Sequence, residues 1–162
     1  MPFRTYEQTP VWKRVLLLAA LIIVVASVIF SNLLARQIAK EEKKKVELWA
    51  NAYKHLNQAD ENTNIDFIFE VIKNNETVPV ILTNDEGDVV RWRNLDSSRV
   101  AADGNYLRRQ LKQMKKEREP IVVEVSPGEV NYIYYKDSYP LVKLRFYPYV
   151  QLAIIILFFV VA

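Results

Sequence analysis

The stretch IVVEVSPGEVNYIYY, residues 121–135, predicts a β-hairpin and with it the class of the fold. Before the turn, apolar residues recur at every second position, the period that places successive side chains on opposite faces of a strand. Pro127 and Gly128 suit the two central positions of a type II turn, because proline fixes φ at the first and glycine accepts positive φ at the second. After the turn, Tyr132 and Tyr134 share one face of the returning strand.

A second hairpin is predicted upstream by PVILTNDEGDVVRWRNL, residues 79–95. Its turn, NDEG, ends with Gly87, which is free to take positive φ. On the return strand, Trp92 lies on one face, while Arg91 and Arg93 lie on the other.

A long helix is predicted before the hairpins. Val46, Trp49, Tyr53 and Leu56 recur at spacings of three and four, which places them on one stripe of that helix. The stripe could pack on the sheet or pair with a second copy of itself, and the sequence leaves both alternatives open. These four residues are therefore the candidate dimer contact.

Two further helices are predicted around the hairpins. The first has four apolar residues on one face: Ile65, Ile68, Phe69 and Ile72. The second lies between the hairpins, is capped by Asp103 or Asn105, and is stopped by Pro120. Helices that precede and interrupt an antiparallel sheet define the α+β class. A central sheet with a helical connection between hairpins resembles the layout of small-molecule sensor domains of the PAS type, although fold alone does not give function.

Two apolar segments flank these elements. Residues 15–35, VLLLAALIIVVASVIFSNLLA, carry no charge and at about 1.5 Å per residue would cross a hydrocarbon core of roughly 30 Å. A signal peptide would have a shorter apolar region and a small-residue cleavage site, so an uncleaved anchor is expected. Residues 150–162 are too short to cross alone, and the sequence is expected to stop inside a second span. Basic residues border the first span on both sides, so charge leaves its orientation open.

A ligand pocket on the sheet is one interpretation of the strand residues. Its aromatic candidates are Trp92, Tyr132 and Tyr134, and its polar candidates are Arg91, Arg93 and Asn131. The alternative is that the aromatic residues fill the core or pack on the long helix. The helix between the hairpins has a basic face, which could bind an anionic ligand or lipid head groups or could simply be solvated; it comprises Arg108, Arg109, Lys112, Lys115, Lys116 and Arg118.

Composition excludes several classes of protein. There is no cysteine, so neither disulfides nor thiolate metal sites exist. Three scattered glycines do not form a phosphate-binding loop. The net charge of +3 is too small to argue for nucleic acid. No catalytic, cofactor-binding or metal-binding residues are predicted in this chain.

Three stretches together carry a family resemblance: NNETVPVILTNDEGDVVRWRNL, NYIYYKDS and LVKLRFYPYVQLAIIILFF. They resemble one group of bacterial membrane-bound sensor histidine kinases, in which a PAS-like or Cache-like extracytoplasmic sensor lies between two transmembrane helices. The resemblance implies four regions in the bacterial plasma membrane: residues 1–14 as a cytoplasmic N-terminus, 15–35 as the first transmembrane helix, 36–147 as the sensor domain and 148–162 as the start of the second transmembrane helix.

The resemblance also implies partners that the chain itself does not reveal. They are the lipid bilayer, a second copy of the chain, a small-molecule ligand, and a response regulator reached through a kinase module beyond Ala162, where ATP and Mg²⁺ would bind. His55 lacks the acidic neighbour of a phosphoacceptor histidine and does not follow the second span, so it is not expected to be phosphorylated. The alternative function is a membrane-anchored assembly or adaptor protein whose outer domain binds a protein partner. A sensor that feeds a cyclase or chemoreceptor output would share the same input region.

Overall fold

The computed structural model describes residues 10–59 and 65–161 of the chain. Contacts divide it into a helical unit, Met1–Gln37 with Val142–Ala162, and an α+β unit, Ile38–Leu141. The elements in chain order are α1 (Pro10–Asn57), α2 (Ile65–Lys73), β1 (Val80–Thr83), β2 (Val89–Arg93), α3 (Ser97–Ala102), α4 (Tyr106–Glu117), β3 (Ile121–Ser126), β4 (Glu129–Tyr135) and α5 (Tyr139–Val161).

The α+β unit is built on a four-stranded antiparallel sheet in the order β2-β1-β4-β3. The two predicted hairpins are both present, and they join because β4 pairs with β1, with Leu82 opposite Ile133. Gly87 and Gly128 have φ of 88° and 84°, so both turns use the left-handed conformation that glycine adopts without a steric penalty. The predicted α+β class and the long N-terminal helix are confirmed.

The main core lies between α1 and one face of the sheet, called here the α1 face. Val80, Leu82 and Ile133 are buried there. They contact Trp49 and Tyr53 of α1, whose rings stack with centroids 5.8 Å apart. Burying large apolar side chains contributes about 1.5–3 kcal/mol each, so this layer dominates the stability of the unit.

The stripe on α1 therefore packs on the sheet of its own chain, which is one of the two alternatives that its spacing allowed. Val46, Trp49 and Tyr53 are buried in this core, and Leu56 is half-buried at the end of the helix. Side chains already buried under the sheet cannot also contact a second chain. The dimer contact assigned to this stripe is corrected for that reason.

The opposite face of the sheet, called here the α4 face, is covered by α4. Leu111 and Met114 of α4 are buried against Ile81, and Trp92 and Tyr134 pack at the margin. The short helix α3 was not predicted from the sequence. It begins after Asp96, whose side chain accepts a hydrogen bond from the N–H of Arg99 as an N-cap.

Hydrogen bonds from side chains fasten the α2–β1 connection to the end of β2. The buried side chain of Asn75 donates to the carbonyl of Val78 at 3.1 Å and accepts from the N–H of Val78 at 3.1 Å. Asn94, at φ 57°, donates to the same carbonyl at 2.9 Å and to the carbonyl of Asn75 at 2.8 Å. These bonds satisfy buried backbone groups that no strand reaches.

Replacing Asn75 with alanine is expected to destabilise the α+β unit by about 1–3 kcal/mol, because the buried N–H of Val78 loses its acceptor. The matched control is Asn74→Ala, since Asn74 is the exposed neighbour and its change should stay within about 0.5 kcal/mol. Urea unfolding of both variants, followed by circular dichroism, measures the difference. Equal losses for the two variants would show that the Asn75 bonds contribute nothing.

The helical unit contains the first part of α1 and most of α5. Both helices are long and apolar enough to cross a membrane, which weakly indicates membrane association. Their large apolar side chains are mostly exposed, Ile22 at 66% and Phe30 at 68%. A soluble protein rarely exposes a continuous apolar surface of this kind, whereas a bilayer would cover it.

Two hydrogen bonds join α1 to α5 inside the helical unit. Ser27 Oγ donates to Gln151 Oε1 at 2.7 Å, and Ser31 Oγ donates to the backbone carbonyl of Leu144 at 2.8 Å. The two serines are one helical turn apart and lie on the same side of α1. The few polar side chains in the apolar part of α1 thus include two that pair with the neighbouring helix.

Candidate functional site

The six predicted ligand-binding residues lie on two opposite faces of the sheet. Trp92 pairs with Ile81, and Tyr134 lies beside them, so both aromatic residues lie on the α4 face. Arg93 pairs with Val80, which belongs to the α1 face. Alternation along the strands places Tyr132 with the aromatic group and Arg91 and Asn131 with the α1-face group. The six side chains therefore do not converge on one pocket.

Two polar members of this set, Arg93 and Asn131, have structural partners. Arg93 donates from Nε to the carbonyl of Asn75 and from Nη2 to the carbonyl of Lys73, both at 2.7 Å. Asn131 is buried, and its Nδ2 is 3.5 Å from the Tyr53 hydroxyl. Arg93 thus fixes the connection between α2 and β1.

The space between α4 and the sheet is occupied by side chains. Met114 and Ile81 are fully buried there. At the margin, Lys115 Nζ lies 5.1 Å from the centroid of the Tyr134 ring, within range of a cation–π interaction. Burial, and secondarily the neighbouring Tyr132, raises the pKa of Tyr134 above its ordinary value. A small molecule entering at this face would have to displace Met114.

The basic face of α4 is partly neutralised by its neighbours. Arg109 forms an ion pair with Asp103, and Arg118 contacts Asp137 at 2.5 Å and lies over the Tyr135 ring at 4.6 Å. Arg108, Lys112, Lys115 and Lys116 are exposed. The predicted cationic surface is therefore narrower than the sequence suggested.

Asp103 gives this surface a predicted dependence on pH. Its carboxylate accepts hydrogen bonds from the Arg109 guanidinium and then from the N–H of Asn105, and both hold its pKa below the ordinary value. A carboxyl whose pKa is lowered by folding stabilises the fold above its unfolded pKa, and this contribution is lost as pH falls through the folded pKa. We expect the melting temperatures of the native chain and Asp103→Asn to differ at neutral pH and to converge in acid.

NMR titration of the Asp103 carboxyl measures the same effect directly. Arg109→Gln should raise the pKa only part of the way back, because the N–H of Asn105 still donates. A pKa unchanged by Arg109→Gln would contradict the assigned cause.

A buried carboxylate lies where α1 meets the start of α5, within the α+β unit. Glu42 is only 6% exposed and accepts hydrogen bonds from the Ser138 N–H at 3.2 Å and from the Ser138 hydroxyl. Ser138 Oγ in turn accepts from the Leu141 N–H at 3.4 Å, so Ser138 is the N-cap of α5. We call this chain of hydrogen bonds, through Glu42, Ser138 and Leu141, the junction clasp.

The junction clasp joins two elements that are far apart in the sequence. The ion pairs of the described residues do not include Glu42, so the Ser138 donors hold its carboxylate. A buried carboxylate that loses its hydrogen-bond donors carries a desolvation penalty. Moving Ser138 away from Glu42 is therefore unfavourable. The clasp therefore makes the first turn of α5 depend on the position of α1.

An apolar groove runs between α1 and α2 on the side of α1 away from the sheet. The cavity measures about 400 Å³. Its lining residues are Leu48, Asn51, Ala52, His55, Phe67, Ile68 and Val71. Leu48 is 57% exposed although it is apolar. Leu48, Asn51 and His55 are spaced by three and four residues, the spacing of a seam between two packed helices.

Comparisons with known proteins do not identify a function for this chain. The sequence matches no known family model, and no curated protein or solved structure is significantly similar to it. Among the described residues, no group of histidine, aspartate and glutamate side chains is placed to hold a metal ion. The features that distinguish the molecule are the junction clasp, the groove on α1 and the two apolar helices.

Proposed function

We propose that this chain is the signal-input region of a bacterial transmembrane sensor histidine kinase. In this proposal the α+β unit is an extracytoplasmic PAS-like or Cache-like sensor, α1 and α5 cross the plasma membrane, and a kinase module that binds ATP and Mg²⁺ follows α5. The kinase phosphorylates a response regulator. The junction clasp carries the proposal, because it links the first and last helices of the α+β unit, and each of these helices continues into a candidate membrane span.

The sheet supports the sensor part of the proposal. Two hairpins are joined through β1 and β4, and the helices α3 and α4 are inserted between β2 and β3. This is the arrangement that the sequence suggested for small-molecule sensors of the PAS type. The Met114 side chain fills the space between α4 and the sheet. In the proposal, the stimulus acts by changing how α4 packs there.

Autophosphorylation of the full-length protein in native membranes tests the proposal. Membranes supplied with ATP should form an acid-labile phosphohistidine. Glu42→Ala should change the rate of autophosphorylation by about fivefold or more, because typical coupling free energies between two sites correspond to changes of at least that size. Glu41→Ala is the matched control, since Glu41 is exposed and forms its ion pair with Lys44 on the same helix. Absence of phosphohistidine would reject the kinase, and equal effects of both variants would reject the clasp as the relay.

A second copy of the chain is part of the proposal, and the groove on α1 is its proposed contact. The helical spacing of Leu48, Asn51 and His55 fits a partner helix, and two chains held in one membrane would present the same face of α1 to each other.

Disulfide crosslinking should follow this new face of α1. The chain contains no cysteine, so single cysteines can be introduced without removing any. We expect Leu48→Cys, Asn51→Cys and His55→Cys to crosslink in membranes. Trp49→Cys and Tyr53→Cys should not crosslink, because both positions are buried under the sheet. A profile with equal crosslinking at all five positions would contradict the proposed contact.

The adaptor remains the second candidate, and one observation favours it. Strand β3 pairs with β4 alone, so its other edge is free within the described sheet, and Val122 on that strand is 60% exposed. A free edge can pair with an extended segment of another protein. Val122→Lys should abolish binding of a partner by an adaptor, whereas it should leave the phosphorylation of a kinase unchanged.

A further inference from the structure

Pro148 interrupts the hydrogen-bond ladder of α5 at the start of its apolar part. Proline has no backbone N–H, so the carbonyl four residues earlier loses its intrahelical donor. For Pro148 that carbonyl belongs to Leu144, and it accepts a hydrogen bond from Ser31 Oγ of α1 at 2.8 Å. Leu144 is half-buried and Ser31 is buried, so an unpaired carbonyl at this contact would carry a desolvation penalty.

We infer that Ser31 is a positioning residue that supplies from α1 the hydrogen bond that Pro148 removes from α5. A proline also makes a helix bend, because it removes one bond of the ladder and crowds the preceding turn. Ser31 is thus bound to α5 at the turn where that helix bends most easily, and it holds α5 in one arrangement against α1. As a means of regulating α5, this inference rests on the proposed function. The replacement by Ser31 of the hydrogen bond that Pro148 removes does not rest on the proposed function.

Ser27 provides an internal comparison. It is the same residue type one turn earlier on α1, and it also bonds to α5, but its partner is the side chain of Gln151. No backbone carbonyl freed by proline is involved in that contact. The contribution of Ser27 should therefore not depend on whether residue 148 is proline.

A double-mutant cycle separates these two cases. The full chain is reconstituted in bicelles with spin labels at Leu33→Cys and Ile154→Cys, two exposed positions on α1 and α5. The equilibrium constant for separation of the helices is then measured by SDS titration. Ser31→Ala should favour separation by about threefold to twentyfold, the range measured for hydrogen bonds between membrane helices. In the Pro148→Ala background, Leu144 regains an intrahelical donor, and the effect of Ser31→Ala should largely vanish.

Ser27→Ala should favour separation by a similar factor in both backgrounds. The inference would be overturned if Ser31→Ala had the same effect with and without Pro148. It would also be overturned if Ser31→Ala had no effect while Ser27→Ala favoured separation. If neither serine substitution changes the separation, α1 and α5 do not pair through these contacts, and the inference fails as well. None of these results depends on phosphorylation, so failure of the kinase proposal would be recognised separately.

Discussion

Trp49→Ala is expected to cost about 3–5 kcal/mol of unfolding free energy, the usual range for removing a large aromatic side chain from a core. Trp49 is 4% exposed and stacks on Tyr53 beneath the sheet, so its removal opens a cavity between α1 and the strands. Domains typically have only about 5–15 kcal/mol of net stability, so this single change would remove much of it. Urea unfolding of the chain in mild detergent, followed by far-ultraviolet circular dichroism, measures the loss.

Two controls make the Trp49 result specific. Leu48→Ala alters the adjacent, 57% exposed residue, and we expect a change within about 0.5 kcal/mol. Trp49→Phe keeps most of the ring and loses no hydrogen bond, because the buried Trp49 Nε1 has no partner in the described part of the chain. If Leu48→Ala were the more destructive of the two alanine variants, α1 would present its other face to the sheet.

Ile22→Arg is the second change with a large expected effect. An arginine at the centre of a membrane span costs about 2.5–3.5 kcal/mol on insertion scales, which corresponds to roughly a hundredfold loss of the inserted state. Ile22 lies in the middle of the apolar part of α1 and is 66% exposed. The fraction of chain that resists alkaline extraction from membranes should therefore fall sharply.

Val90→Arg is the matched control for that substitution. Val90 is also an exposed apolar residue, but it lies on the sheet and outside the candidate spans. The same chemical change there should leave membrane retention unaltered. Equal retention of both variants would mean that α1 does not enter the hydrocarbon.

Local sequence patterns predicted the elements of the fold well, because each pattern has a local cause. Period-two alternation and the turns ending in Gly87 and Gly128 predicted both hairpins. The stripe that includes Trp49 was ambiguous, since spacings of three and four suit packing on a sheet and packing on a helix equally. Only the partner decides between them, and the partner lies far along the chain.

The candidate sites were harder to predict, because they depend on contacts between distant residues. Arg93 was predicted to line a pocket, but its guanidinium donates to the carbonyls of Lys73 and Asn75. The alternation of residues along β2 does not indicate these bonds. Glu42 stands in the run AKEEKKK and resembles a solvated charge. It is buried because Ser138, 96 positions later, brings two donors to it. For the hydrogen bond from Ser31 to Leu144, the sequence offers one indication, because Pro148 leaves the Leu144 carbonyl without its intrahelical donor. Identifying Ser31 as the donor required knowing that α1 pairs with α5.

Labelling of single cysteines with a membrane-impermeant maleimide tests most directly whether two spans hold the α+β unit outside the membrane. Glu86→Cys lies in the exposed turn between β1 and β2, and Thr5→Cys precedes α1 in the sequence. In intact spheroplasts we predict that Glu86→Cys is labelled and that Thr5→Cys is labelled only after permeabilisation. Labelling of both positions before permeabilisation, or recovery of the chain in the soluble fraction without detergent, would contradict the account.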